Sequence, residues 1–111
     1  MTTLADRTIH IDPATDRALD AGAIEELKAD LSEHWAVVNH KELRARFEFS
    51  DFATALAFTN AVGALAEAVQ HHPDCLVGWG KVEITLWTHD IGGLHLADFI
   101  LAARIDRIQR A

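Results

Sequence analysis

A single cysteine, Cys75, stands among 111 residues, so no internal disulfide can form. Basic residues are the minority, ten Lys and Arg against seventeen Asp and Glu for a net charge of −7. They form no cluster beyond scattered arginines near the C-terminus, so no direct nucleic-acid contact and no anionic-membrane surface is expected. No apolar run approaching the roughly 18 residues of a membrane span stands out, and the N-terminus lacks the basic-then-apolar order of a signal peptide. A soluble, cytoplasmic protein without membrane partners is the expectation. Internal repeats and low-complexity segments are missing as well. What is present is a 50% hydrophobic content, ample for one core in a chain of this length and unlike a disordered segment.

Residues 1–18 show no sustained period around Pro13, and only Ile9 and Ile11 suggest a short extended piece. This stretch is read as a flexible N-terminal arm, and 19–111 as the domain. From Asp20, a suitable N-cap, the spacing of Ala23, Leu27 and Leu31 with Ile24 beside them predicts a helix. Trp35 to Asn39 and Leu43 to Phe49 alternate as two strands around a polar turn near Asn39-His40-Lys41. Leu43, Ala45, Phe47 and Phe49 share one face of the second strand, and Arg44, Arg46 and Glu48 the other. Ser50 or Asp51 can cap the longest element, a helix carrying Phe52, Leu56, Phe58, Val62, Leu65 and Val69. Leu76 to Trp79 reads as a short strand and Lys81 to Thr88 as a longer one, with Val82, Ile84 and Leu86 facing inward. Gly92-Gly93 breaks the chain. A last helix from about His95 carries Leu96, Phe99, Ile100, Ala103 and Ile108 inward and ends among Arg104, Asp106, Arg107 and Arg110, basic residues that suit a helix C-terminus. The order is α-β-β-α-β-β-α, an α+β fold in which helices cover one face of a four-stranded antiparallel sheet.

Gln70-His71-His72-Pro73 and Thr88-His89 concentrate the chemistry. Pro73 disfavours helix at the residue before it and supplies no N–H, so His72 is expected at a helix end. His89 is expected to close the strand. Element ends are where small folds build sites.

The same residues carry a resemblance. Glu67-Ala-Val-Gln70-His71-His72-Pro73, then Lys81-Val82-Glu83-Ile84-Thr85-Leu86, Thr88-His89, and Gly93-Leu94 with Asp98 are similar in sequence and spacing to the signature of the pterin-4a-carbinolamine dehydratase family. The likeness extends back through Phe47-Glu48-Phe49-Ser50-Asp51-Phe52 and Trp35, covering roughly residues 20 to 108. It implies the α-β-β-α-β-β-α fold, and dehydration of 4a-hydroxytetrahydropterin to quinonoid dihydropterin in pterin recycling, without metal or organic cofactor. It also implies a homodimer or homotetramer. By position, His71, His72 and His89 would be catalytic, Gln70, Thr88 and Asp90 would flank the pterin with Pro73 and Trp87, and Asp98 would close the motif. Two departures are visible: Trp79 stands where the family often has tyrosine, and His95 where a small hydroxyl residue is expected to cap the last helix.

The residue types suit that chemistry. Losing hydroxide from a carbon beside nitrogen needs one proton delivered to the leaving oxygen and another removed from the ring nitrogen, and imidazoles do both near neutrality. An imidazole at a helix C-terminus is favoured in its protonated form, which points to His72 as donor, although sequence leaves ring orientation and tautomer open. A zinc site is the rival reading of three histidines, with Asp90 or Asp98 completing it, but adjacent His71 and His72 seldom turn both rings to one ion. Lys81, Glu83 and Thr85 are expected on a solvated sheet face with Trp87 exposed among them, Trp35 in the core, and Cys75 in a structural role. A further reading keeps the fold without catalysis, as a dimerisation cofactor or assembly chaperone. An intact histidine set argues for the enzyme, since a scaffold has no chemical reason to keep it.

Overall fold

A computed structural model describes residues 3–110. The first two residues of the arm, Ala111 and the Arg110 side chain, which the sequence sets at the basic end of the last helix, lie outside the described residues. The elements are α1 (Ala21–Lys28), β1 (Trp35–Val38), β2 (Glu42–Glu48), α2 (Phe52–Val69), β3 (Asp74–Gly78), β4 (Lys81–Leu86) and α3 (Leu96–Arg110), with short 3-10 turns at Leu4–Asp6 and His89–Ile91. The order is the one the sequence predicts.

All strand pairings are antiparallel, in the order β1-β2-β4-β3. In the central pair Leu43 faces Leu86, Ala45 faces Ile84 and Phe47 faces Val82, and all six are buried. Because side chains alternate along a strand, this register turns Arg44, Arg46, Glu48, Lys81, Glu83 and Thr85 to the other, solvated face. Phe58, Val62 and Ala66 of α2 and Phe99, Ile100, Leu101 and Ile105 of α3 close the core over the apolar face.

Caps set the helix starts. Asp20 accepts the Ala23 N–H at 2.9 Å, and Asp51 accepts both the N–H and the hydroxyl of Thr54 at 2.8 Å. Those two Thr54 donors hold the Asp51 carboxyl below its usual range. Helix α1 is shorter than its apolar spacing suggests: it ends at Lys28, and Leu31 reaches the core edge from a following turn. Helix α2 corrects the sequence reading that no long apolar segment is present. It is 18 residues long and apolar enough to cross a membrane by length and composition, yet it buries Ala55, Phe58, Val62 and Ala66 against the protein's own core. Cys75 lies exposed on the edge strand β3, where partial burial and the Asp74 charge push its thiol pKa up.

Candidate functional site

The site forms where α2 ends beside the loop that follows β4. Helix α2 stops at Val69 because Gln70 adopts the left-handed conformation (φ 53°, ψ 41°), and the His71 N–H then reaches back to the Ala66 carbonyl at 3.2 Å. That is a left-handed C-terminal cap. It corrects the expectation that Pro73 makes His72 the helix-terminal residue: the stop comes three residues earlier, and His72 lies beyond the cap. The Gln70 side chain turns back as well, donating to the Glu67 carbonyl at 2.7 Å and to its carboxylate at 3.0 Å.

Strand β4 likewise ends early, at Leu86, so His89 does not close it. Thr88 and Gly93 pair across a tight loop instead, and His89 opens the 3-10 turn between them. Gly92, with φ +67°, supplies the left-handed residue that closes this turn.

The three histidines stand in three different settings. His71 is buried, and its Nε2 donates to Asp98 Oδ1 at 2.5 Å. Asp98 is fully buried, and its other oxygen accepts the Thr88 hydroxyl at 2.8 Å and the His95 backbone N–H at 2.9 Å. With its donors converging from three segments, the carboxylate fixes His71 as the Nε2–H tautomer and leaves Nδ1 as an acceptor. His72 is exposed, and its Nε2 meets Glu67 Oε2 at 2.9 Å. The imidazole of His72 and the amide of Gln70 hold the Glu67 carboxyl below its usual range. His89 is exposed and stacks on Trp87, with ring centroids 3.8 Å apart and planes 30° apart.

Trp87 is not the exposed indole the alternation suggested. It is half-buried against the core, with the Lys41 ammonium 4.4 Å from its ring centroid, a cation–π contact. His95 resolves the departure at the last helix. Its Nδ1 accepts the Ala97 N–H at 3.0 Å while Asp98, three residues on, takes the His95 backbone N–H. This is the reciprocal geometry of a capping box, with imidazole in place of hydroxyl.

A cleft of about 430 Å³ is lined by Gln70, His71, His72, Trp87, Thr88, His89 and Asp90, together with Ile11 and Pro13. The fold therefore gathers all three histidines and four of the six other expected site residues into one concavity. Asp98 stands behind His71 rather than at the cleft surface, and Pro73 sits half-buried to one side. Sequence reasoning gave no role to Glu67, although its place one helical turn before His71 and His72 is a usable signal. Ile11 and Pro13 carried no signal at all. Among the described residues no three His, Cys, Asp or Glu side chains converge as a set able to hold a metal ion.

Comparison with known proteins identifies the family. A protein of Alkaliphilus metalliredigens, provisionally named pterin-4-alpha-carbinolamine dehydratase, is 46% identical over 91 residues, covering 82% of each chain. A protein of Microcystis aeruginosa bearing the same provisional name is 42% identical over 99% of this chain and 97% of its own. Among solved structures, a transcriptional coactivator/pterin dehydratase from Brucella melitensis superposes with a TM-score of 0.78 at 28% identity, over 84% of this chain and 99% of that one. A pterin dehydratase-like protein identified as a RuBisCO assembly factor in the alpha-carboxysome superposes with a TM-score of 0.59 at 30% identity, over 69% of this chain and 90% of its own. The family model of Pterin 4 alpha carbinolamine dehydratase matches residues 17–108, and the chain belongs to that family.

Proposed function

We propose that this protein dehydrates 4a-hydroxytetrahydropterin to quinonoid dihydropterin by histidine acid–base catalysis. The observation that carries the reading is one cleft in which an imidazole with a buried carboxylate behind it, His71, stands beside an exposed imidazole, His72, whose Nε2 is engaged by Glu67. Glu67 accepts the Nε2–H of His72, so the ring acts as a donor in its imidazolium form, whose second proton, on Nδ1, passes to the 4a-hydroxyl, which leaves as water. Asp98 keeps the His71 lone pair on Nδ1, the atom suited to accept the N5 proton, and the C4a=N5 double bond forms as that proton departs. The substrate loses one water, neither oxidant nor reductant is consumed, and the proton gained by His71 equals the one given by His72, so exchange with solvent returns both rings to their starting states. His89 and Trp87 present a stacked pair against which a flat pterin ring can lie. Positioned acid–base groups of this kind commonly contribute about 10²–10⁴-fold.

In this reading the protein works in the cytoplasm, in pterin recycling, on a small-molecule substrate and as a homodimer or homotetramer. Exposed Phe52 and Leu56 on α2 and the open edges of β1 and β3 offer a second copy apolar surface and unpaired strand groups. Light scattering should therefore give at least twice the chain mass, and a monomer at micromolar concentration would remove the assembly proposal. A scaffold role without turnover is the second reading, favoured by the same exposed surfaces and by the coactivator and assembly-factor descriptions of the two solved structures. Stopped-flow absorbance on freshly generated carbinolamine separates the two. Acceleration over the spontaneous rate that survives dialysis against a chelator supports the dehydratase. A rate equal to the spontaneous one leaves the scaffold, and a rate lost on chelation and restored by zinc would bring a metal into the chemistry.

A further inference from the structure

Residues 3–16 precede the segment matched by the family model, yet they are fastened to the body at several points. Leu4 and Ala5 belong to the buried core cluster, and Arg104 donates to the Ala5 carbonyl at 2.9 Å and the Arg7 carbonyl at 2.7 Å. Further along, Asp16 takes the Asp12 backbone N–H at 2.9 Å and faces His95 Nε2 at 2.7 Å. Because His95 Nδ1 already accepts the Ala97 N–H, its Nε2 must carry the proton and donate to Asp16. Those two donors hold the Asp16 carboxyl below its usual range. Past this pair, the Leu19 N–H meets the Leu94 carbonyl at 2.8 Å, and Gly93 lies so close beneath Ala18 that a Cβ there would come within 2.8 Å of the alanine methyl. The segment is thus pinned to the loop that carries His89 and Asp90, and two of its apolar residues, Ile11 and Pro13, line the same cleft as Gln70, His71, His72, Thr88, His89 and Asp90.

We infer that Ile11 and Pro13 are specificity-determining residues, an apolar wall that meets the bound pterin, and that the Asp16–His95 pair is the latch holding this wall in place. The inference rests on the pterin reading of the cleft. Its chemistry is simple: a ring held by imidazoles on one side gains from shedding water on the other, and apolar contact supplies that without directional demands. Neither residue can exchange a proton with the substrate, so the wall binds substrate and transition state alike and acts on KM rather than on kcat. Asp16 and His95 are positioning residues. They touch the substrate through nothing but the segment they hold.

The test is steady-state dehydration kinetics alongside isothermal titration of a stable 7,8-dihydropterin, on the full chain. Ile11→Ala/Pro13→Ala is expected to raise KM and Kd about fivefold, with kcat within about twofold. Asp16→Ala is expected to do the same, and adding it to the double variant should add nothing, because both changes remove one wall. Asp16→Asn, which keeps an oxygen for the His95 Nε2–H, should restore KM to near the parent value. A lower unfolding midpoint with unchanged KM and Kd for Asp16→Ala would overturn the latch, and additive effects would show that Asp16 acts elsewhere. Unchanged KM and Kd in the double variant would overturn the wall. Parent protein that binds the dihydropterin without turnover would remove the dehydratase reading while the titration still judges the wall; no binding would remove both.

Discussion

Helix α3 buries two carboxylates about two turns apart, and they do different work. Asp98 and Asp106 are both almost inaccessible, and each accepts three hydrogen bonds, those to Asp106 all from distant residues and those to Asp98 from His71, Thr88 and the nearby His95 N–H. Asp106 collects the Ser32 N–H at 2.9 Å, the Ser32 hydroxyl at 2.7 Å and the Trp35 indole N–H at 3.0 Å. None of these donors titrates near neutrality, so the group can only fasten the approach to β1 onto the helix. Asp98 has an imidazole among its donors, and that imidazole opens on a cleft. Burial and hydrogen-bond number are the same in both places. What separates an orienting carboxylate from a structural one is whether a partner can carry a proton to a substrate.

The comparison breaks most sharply at Asp98. In Asp98→Asn the amide oxygen can still accept from Thr88 and from the His95 N–H, but the amide nitrogen then faces His71 Nε2 and favours the opposite tautomer, moving the proton to Nδ1. Dehydration should fall by about 10²–10⁴-fold in kcat while far-UV circular dichroism stays that of the parent. A kcat within about threefold of the parent would show that the His71 tautomer is irrelevant to turnover.

His72 sharpens the contrast from the other side, since it sits next to His71 without a buried carboxylate behind it. His72→Ala should lower kcat by about 10²-fold, change KM much less, and leave the unfolding midpoint where it was, because an exposed ring contributes little to the core. Near-normal kcat across pH 6 to 9 would move the donor role to His71 or His89. Asp106→Asn should show the reverse profile, with activity retained and a loss of about 1–3 kcal/mol in urea unfolding from a mispaired buried donor. If it also cut kcat below a tenth of the parent, α3 would be coupling its two carboxylates, and their separation into roles would fail.

Much of this was legible in the sequence. The order of elements followed from periodicity, because the sheet is solvated on one face and alternation in Leu43 to Phe49 and Val82 to Leu86 is therefore clean. The Asp20 and Asp51 caps were legible for the same kind of reason, since a cap bond spans only a few residues. The histidine cluster could be named, but not the division of labour within it. His71 and Asp98 are brought together across 27 positions, and no local spacing reports which of two adjacent rings will find the carboxylate. The end of α2 was misjudged because Pro73 is a strong stop signal, while Gln70 in a left-handed conformation is one that a non-glycine residue seldom gives. Ile11 and Pro13 were invisible for a plainer reason: their place in the cleft depends on where the arm is pinned, at Asp16, Ala18 and Leu19, and pinning by tertiary contacts leaves no period.

The smallest effect concerns the exposed carboxylates, and it separates them from the buried pair by pH. Glu67 is held below its usual range by His72 and Gln70, and Asp51 by Thr54. Each binds a proton less readily folded than unfolded, so its contribution is fully present above the ordinary carboxylate pKa of about 4 and fades as pH falls through the lowered folded value. Stability should therefore decline on acidification below about pH 5, with part of the slope belonging to Glu67. Because that side chain is largely in water, the share is small and screened by salt. Thermal unfolding of the parent and Glu67→Gln, followed from neutrality down to about pH 3 at two salt concentrations, should give curves that converge at the acid end, where the Glu67 carboxyl of the parent is protonated too. The gap at neutral pH should narrow as salt is added. Curves that stay parallel at every pH would mean that Glu67 stabilises through its hydrogen-bonding shape alone, and that its charge has no part in holding His72 at the mouth of the cleft.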